Sequence, residues 1–317
     1  MADLTVRDDV RNFLDMLEQM GGKAAHEGTP TEARQAFNML TPLADLPPEE
    51  LAVIADMHCD GPAGRIPLRY YDARADRGDS PVILFIHGGG FVIGDLESHH
   101  PFCTSLAKEL DLPVVAVDYR LAPEHPFPAA PDDCEAAARW VASNPKALPF
   151  KPTGIITCGD SAGGNLAIVT TIALRDEPAD VPVIAQFPLY PVVDSGGDYE
   201  SFRECAEGFL LTSETMAWFG KQYAAEIGHE RNDVIHLPHA NMPPTVIVTA
   251  SLDPLRDQGK IYAAKLREVG VPVREMMAEG NIHGFICLRK AIPSTQADMA
   301  KLFGLMKETL ADIGMQR

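Results

Sequence analysis

Apolar positions fall into two alternating patterns from residue 82 onward. Short runs of consecutive aliphatic residues indicate strands buried on both faces, as in a parallel sheet covered by helices. Segments with apolar residues three and four positions apart indicate the helices. The predicted strands are 82–86, 114–117, 155–158, 183–187 and 245–249, and the predicted helices are 98–110, 132–143, 162–174, 256–269 and 295–312. The alternation predicts an α/β fold with a mostly parallel sheet flanked by helices.

Three segments depart from this alternation. From Val6 to Met20 the apolar residues recur at helical spacing, which predicts an amphipathic helix that ends at Gly21. Residues 49–73 have the pattern of two short antiparallel strands around a turn. Residues 195–244 separate two strands and contain one helical stretch, so this insertion is expected to form a lid or cap against the N-terminal helix.

The composition and charge of the chain limit which partners and which cellular compartment are expected. Apolar residues make up 46% of the 317 residues, which predicts a packed core. A formal net charge of −18 would repel nucleic acid and anionic membranes, so neither is expected as a partner. The N-terminal residues do not resemble a signal peptide, and no apolar stretch is long enough to span a membrane. The six cysteines are scattered along the chain, which is typical of buried thiols. We therefore expect a cytoplasmic protein with no metal site.

The strongest chemical signal is the Gly-x-Ser-x-Gly pattern of Gly159, Ser161 and Gly163, directly after the strand predicted over 155–158. On such a strand-to-helix turn a serine hydroxyl stands exposed above the sheet as a nucleophile. The alternative is a glycine-rich turn whose serine caps a helix. The apolar strand before it and the apolar helix after it favour the nucleophile.

A nucleophilic serine needs a base, and His283 is the candidate. It follows the last predicted strand, over 271–277, in a glycine-flanked loop, where the carboxyl end of the sheet places catalytic loops. The alternative is a surface histidine. No two histidines are arranged as in H-E-x-x-H, which gives a metal site little support.

The acid that orients the base is expected between the serine and the histidine in chain order. Asp253 fits, because the strand over 245–249 delivers it to the same edge of the sheet. Its alternative role is a helix cap, since Pro254 follows it. Asp257 and Asp194 are the fallback candidates.

The stretch HGGGFVIGD at 87–95 fits neither a phosphate-binding P-loop nor a dinucleotide fingerprint. It is similar to the glycine loop of lipases and esterases, in which N–H groups stabilise an oxyanion. On that assignment the donors are Gly88, Gly89 and Ala162, and His87 supports the loop.

Five motifs in register resemble the hormone-sensitive-lipase-like (bacterial family IV) esterases of the α/β-hydrolase fold, over nearly the full chain. They are HGGGFVIGD, DYRLAPEHPFPAA (118–130), GDSAGGN (159–165), DPLRD (253–257) and HGF (283–285). The resemblance implies a cap built from residues 1–45 and 195–244 on a catalytic domain of residues 46–194 and 245–317. It implies that 118–130 braces a loop, so that Arg120, Glu124 and His125 have no chemical role. It also implies a homodimer, which we expect to form through residues 271–312.

The predicted reaction is hydrolysis of carboxylic esters with short to medium acyl chains, through an acyl-enzyme and without a metal or organic cofactor. The predicted acyl pocket consists of apolar cap side chains, for each of which core packing is an equal alternative: Phe13, Met16, Leu17, Phe209, Leu210 and Trp218. An amide, lactone or formamide substrate remains open, because specificity depends on the pocket and not on the triad. A non-catalytic binding protein on the same fold is disfavoured by the presence of His283.

Overall fold

The computed structural model describes residues 4–315, and within them eight strands form one sheet. The strands are β1 (Val53–Gly61), β2 (Gly64–Asp72), β3 (Ser80–Ile86), β4 (Val114–Val117), β5 (Pro152–Asp160), β6 (Val183–Leu189), β7 (Thr245–Leu252) and β8 (Val273–Ile282). Their spatial order is β1-β2-β4-β3-β5-β6-β7-β8. β2 pairs antiparallel with both β1 and β4, and the pairs from β4 through β8 are parallel. This confirms the predicted fold class and the antiparallel start.

Helices cover both faces of the sheet. α3 (His100–Leu110) and α9 (Thr295–Asp312) pack on one face, and α4 (Ala129–Ala142), α5 (Ala162–Asp176) and α8 (Arg256–Glu268) pack on the other. Within β3, Leu84 belongs to one buried cluster and Phe85 to the other. Both clusters exclude water, which is why the strand is an unbroken apolar run.

Two helices precede the sheet. α1 (Asp8–Met20) ends at Gly21 in the left-handed conformation, as the sequence predicts. Its buried Val10 and Phe13 join a cluster with residues at the ends of β7 and β8. α2 (Pro30–Ala44) begins at a capping box in which the side chains of Thr29 and Glu32 bond each other's backbone N–H groups.

The insertion at 195–244 contains α6 (Glu200–Glu204), α7 (Ser213–Tyr223) and a 3₁₀ turn at Val234–His236. Thr215 Oγ1 lies 3.0 Å from His26 Nδ1 in the segment between α1 and α2. Phe209 packs against the same apolar cluster as Leu17 of α1 and Leu40 of α2. The insertion therefore contacts the N-terminal helices, although the two are far apart in the chain.

A buried ion pair ties the end of α2 to the segment between β8 and α9. Arg289 donates from Nε to Asp45 Oδ1 at 2.6 Å and from Nη2 to Asp45 Oδ2 at 2.8 Å. Its Nη1 donates to Ser105 Oγ at 2.7 Å. The two charged residues are 4% and 2% exposed. In such a pair the removal of one partner is costly, because it leaves the other charge buried without a counter-ion.

Three further features concern the cysteines, the grouping of metal-ligand residue types and the lengths of the helices. All six cysteines carry free thiols, and five of them are buried while Cys287 is partly exposed. Between residues 4 and 315 no three His, Cys, Asp or Glu side chains are grouped so as to hold a metal ion. In the same range no helix has the length and apolar content needed to cross a bilayer.

Candidate active site

Ser161 lies between β5 and α5 in a backbone conformation that side-chain-bearing residues rarely adopt, with φ 55° and ψ −119°. Its N–H donates to the Leu189 carbonyl at 2.8 Å. The first turn of α5 approaches the end of β3 so closely that a Cβ at Gly163 would collide with the Ile86 carbonyl oxygen. Ser161 makes no side-chain capping bond to α5, so the helix-cap alternative is wrong.

His283 directly follows β8 and is only 8% exposed. Its Nε2 lies 2.8 Å from Ser161 Oγ, and its Nδ1 lies 2.7 Å from Asp253 Oδ2. The burial and the two contacts contradict the alternative of a surface histidine. The structure therefore brings the three predicted residues together in one hydrogen-bonded chain.

Asp253 follows β7 and is fully buried. Its Oδ1 accepts the Leu255 N–H at 2.8 Å, which leaves Oδ2 for the histidine. Because a carboxylate accepts hydrogen bonds, the proton of His283 is on Nδ1, and Nε2 is free to accept from the serine hydroxyl. The arrangement can take a proton from Ser161.

The two fallback acids have other partners. Asp257 accepts the Ser201 N–H at 2.8 Å and pairs with Arg256. Asp194 accepts the Gly196 N–H at 3.0 Å and the Tyr199 hydroxyl at 2.5 Å. Of the hydrogen bonds that these two carboxylates make with residues 4–315, none reaches His283.

The glycine loop differs from the prediction at Gly88. The Gly88 N–H donates to Asp160 Oδ1 at 2.8 Å. The Gly88 N–H is therefore already bonded to a carboxylate, which contradicts the prediction that it is an oxyanion donor. Over residues 4–315, the N–H groups of Gly89 and Gly90 make no hydrogen bond, which leaves them for a ligand.

His87 supports this loop from below. Its Nδ1 donates to the Gly88 carbonyl at 2.7 Å, and its ring stacks on Tyr119 with centroids 4.3 Å apart. The Tyr119 hydroxyl donates to the His87 carbonyl at 2.8 Å. Burial, and then the nearby His99, lower the pKa of His87 to about 4, so the ring is neutral at pH 7.

Residues 118–130 connect the glycine loop to α2 and α4. Arg34 of α2 donates to the carbonyls of Val92 and Ala122 and pairs with Glu124 at 2.6 Å. Arg120 pairs with the buried Asp133 at 2.8 Å. His125 is exposed.

The predicted pocket side chains divide into two groups. Phe13, Leu17 and Phe209 pack with Leu252 and Ile282, the residues that precede Asp253 and His283.

The second group consists of Leu210 and Trp218, which both lie in the insertion at 195–244. Trp218 packs in the cluster that contains Phe91, while Leu210 is 40% exposed. Sequence reasoning missed Phe219, whose ring lies so close to Gly90 that a Cβ there would collide with it. Its position beside Trp218 on α7 was the available signal.

The fold and the serine–histidine–aspartate chain define the class of this protein, which is an α/β hydrolase. A family described as having the alpha/beta hydrolase fold matches residues 83–287. Esterase LipI of Mycobacterium tuberculosis is 39% identical over 263 residues, which cover 80% of this chain and 82% of that protein. The chain belongs to the hormone-sensitive-lipase-like esterases of this fold.

Two further comparisons cover almost the full length. Ethyl acetate hydrolase of Pseudomonas putida is 30% identical over 97% of this chain and 100% of its own. A solved structure of an ester hydrolase from the metagenome of Lake Arreo superposes with a TM-score of 0.90 at 32% identity, covering 96% of this chain and 99% of that one. The similarity therefore includes the helices before β1 and the insertion at 195–244.

Proposed function

We propose that the chain hydrolyses carboxylic esters through an acyl-enzyme on Ser161. The observation that carries this proposal is the hydrogen-bonded chain from Ser161 Oγ through His283 to Asp253, at 2.8 and 2.7 Å. The names of the relatives, which include an esterase and an ethyl acetate hydrolase, support an ester as the substrate.

In the first half of the reaction, Ser161 Oγ attacks the ester carbonyl carbon while His283 Nε2 takes the hydroxyl proton. Asp253 keeps the Nδ1 proton in place and stabilises the charged ring. The tetrahedral intermediate then releases the alcohol, which receives the proton from Nε2. In the second half, water attacks the acyl carbonyl carbon while His283 Nε2 takes its proton. The second tetrahedral intermediate then releases the free acid, and Nε2 returns the proton to Ser161 Oγ. These steps require no metal or organic cofactor.

For the oxyanion we propose the N–H groups of Ala162, Gly89 and Gly90. Ala162 is the first residue of α5, so its N–H has no partner within the helix. The close approach of Gly163 to the carbonyls of Ile86 and His87 supports a position of the glycine loop beside this helix end. Each donor is expected to contribute about 3 kcal/mol to the transition state.

For the substrate we propose short to medium acyl chains, held between the α/β domain and a cap of residues 1–45 and 195–244. The proposed wall consists of Phe13, Leu17, Phe209, Leu210, Trp218 and Phe219. Its four large aromatic side chains, all packed against other apolar groups, limit the space beside the reacting carbon.

We also propose a homodimer through residues 271–312. β8 is the last strand of the sheet, and the edge of a sheet carries backbone groups that can pair with a second copy. Light scattering at micromolar concentration is expected to give twice the chain mass of 34.4 kDa. A mass of one chain would contradict the dimer.

The test of the reaction is Ser161→Ala. We expect loss of p-nitrophenyl butyrate hydrolysis to the uncatalysed rate, with Ser143→Ala, which changes an exposed serine, unaffected. Ester turnover that survives in Ser161→Ala would rule the proposal out. A butyryl anilide measured beside the ester separates an esterase from an amidase.

A further inference from the structure

A second buried charged pair lies directly behind the nucleophile. Asp160 is the last residue of β5 and precedes Ser161, and it is 5% exposed. Its Oδ1 accepts the Gly88 N–H at 2.8 Å and lies 3.2 Å from His99 Nε2. His99 precedes α3 and is 2% exposed. The proposed triad uses neither side chain.

The two contacts of the His99 ring favour a charged imidazolium. Its Nδ1 lies 2.9 Å from Ser98 Oγ. Ser98 Oγ also lies 2.9 Å from the Asp95 carbonyl oxygen, which can only accept, and when the hydroxyl donates there the ring nitrogen is the donor to Oγ. Nε2 faces a carboxylate and must also donate. A ring that donates from both nitrogens is an imidazolium, and Asp160 is its counter-ion.

The electrostatic surroundings agree with this assignment. Burial lowers the pKa of His99, but the opposing effects of Cys287 and the Asp160 carboxylate are larger in sum. The pKa of His99 therefore lies well above its usual value. Burial raises the pKa of Asp160, but His99 and the Gly88 N–H lower it below its usual value. The other titratable groups that face His99 are Cys287, whose pKa is raised, and the neutral His87.

Asp160 connects the nucleophile turn to the glycine loop. Gly88 lies so close to the Asp160 carboxylate that a Cβ there would collide with Oδ2. Holding the Gly88 N–H fixes the start of the loop, and the next two N–H groups are the proposed oxyanion donors. Because oxyanion stabilisation depends on donors that are already in place, a displacement of about 1 Å is costly.

We propose that His99 and Asp160 are positioning residues, which fix the glycine loop against the nucleophile turn so that Gly89 and Gly90 point at the oxyanion. This inference rests on the proposed esterase reaction. His99 keeps the carboxylate charged and oriented, and Asp160 holds the Gly88 N–H. Neither residue touches the substrate.

The first test compares His99→Gln with His100→Gln, a control at the adjacent position. His100 is half-buried, and its ring contacts Tyr71. The rate is expressed per active site, titrated with a phosphonate that labels Ser161. We expect the kcat for p-nitrophenyl butyrate to fall about tenfold to a hundredfold in His99→Gln, with KM changed less than about threefold. The acid limb of the pH profile should keep its midpoint, because His283 and Asp253 are unchanged.

A second test is rescue. Asp160→Asn and His99→Gln each leave one buried charge unpaired, whereas the double variant replaces the ion pair with two amides, one of which can still accept the Gly88 N–H. We expect the double variant to have a higher kcat per active site than either single variant. Losses that simply multiply would contradict the inference, and so would a wild-type kcat in His99→Gln. Failure of the esterase proposal is distinct, because it would appear as normal turnover in Ser161→Ala.

Discussion

At the scale of single residues, the backbone of Ser161 is held in its unusual conformation from both sides. Its carbonyl accepts the N–H groups of Asn165 and Val192, at 3.1 and 3.3 Å, while its own N–H is bonded to Leu189. A residue with a Cβ in such a region costs about 1–3 kcal/mol. The hydrogen bonds of the surrounding fold hold Ser161 in this conformation, which directs its hydroxyl at His283.

The strain predicts a gain in stability when the side chain is removed. We expect Ser161→Gly to have a free energy of unfolding about 1 kcal/mol higher than Ser161→Ala, because glycine adopts positive φ without the Cβ clash. Urea denaturation of the two inactive variants measures the difference. Equal midpoints would show that the conformation carries no strain.

Asp253→Asn should be far more damaging than its small change in shape suggests. Oδ1 is bonded to the Leu255 N–H, so the amide NH₂ would occupy the position facing His283 Nδ1. The His283 proton then moves to Nε2, and a protonated Nε2 cannot accept the proton of the Ser161 hydroxyl. We expect kcat to fall about 10⁴-fold, measured by stopped assays on butyrate esters, with Asp257→Asn retaining most of its activity. A loss below about tenfold would argue against the orienting role.

Asp118 gives a pH dependence of stability. Burial, and then repulsion by Asp95, raise the pKa of its carboxyl from 3.8 to about 6. The folded state therefore binds a proton more tightly than the unfolded chain, so stability falls as the pH rises from 3.8 to about 6 and stays reduced at higher pH. Asp118→Asn should stabilise the protein by about 1–2 kcal/mol at pH 7, after a discount for partial exposure, with the gain vanishing below about pH 4. Chemical denaturation at both pH values tests this, with the exposed Asp180→Asn as control.

At the scale of elements, the pair of Asp45 and Arg289 predicts how α2 is attached to the sheet domain. Arg289→Met leaves the Asp45 carboxylate buried without a counter-ion, and we expect a loss of about 3–5 kcal/mol in the free energy of unfolding. Lys290→Met, which removes an exposed charge next to it, should change stability by less than about 1 kcal/mol. Recovery in the double variant Arg289→Met, Asp45→Leu would assign the loss to the unpaired charge.

The elements that the sequence predicts best are those buried on both sides. β3 lies where the run over 82–86 predicts it, since both of its faces are covered and no polar residue interrupts it. α2 escaped a separate prediction although Thr29 and Glu32 signal its start. Its Met39 and Leu43 are 72% and 60% exposed, so the apolar positions do not form one buried stripe.

The same distinction applies to the candidate site. Ser161, Asp253 and His283 can be found in the sequence because each follows a predicted strand and has a residue type suited to its step. The partner of the Gly88 N–H cannot be found in this way. It depends on where the Asp160 carboxylate points, 72 residues further along the chain. The His99 contact likewise requires the assembled sheet.

At the scale of the whole molecule, the proposed cap is assembled from two distant segments that meet above the carboxyl edge of the sheet. Their aromatic and aliphatic side chains should favour small acyl groups. We expect kcat/KM to be higher for p-nitrophenyl butyrate than for p-nitrophenyl palmitate, in a panel run with Ser161→Ala as the blank. The reverse order would reject the proposed pocket size.

The attachment of α2 has a consequence for recombining this chain with its relatives. Arg34 bonds two main-chain carbonyls, which any recipient sequence supplies, but it also requires the Glu124 side chain. Asp45 requires Arg289 in the same way, and Asn38 donates to Asp95 at 2.6 Å. A chimaera joined after residue 45 would separate these pairs. An exchange of N-terminal segments that aims at new substrate preferences must therefore transfer residues 95, 124 and 289 together with the segment.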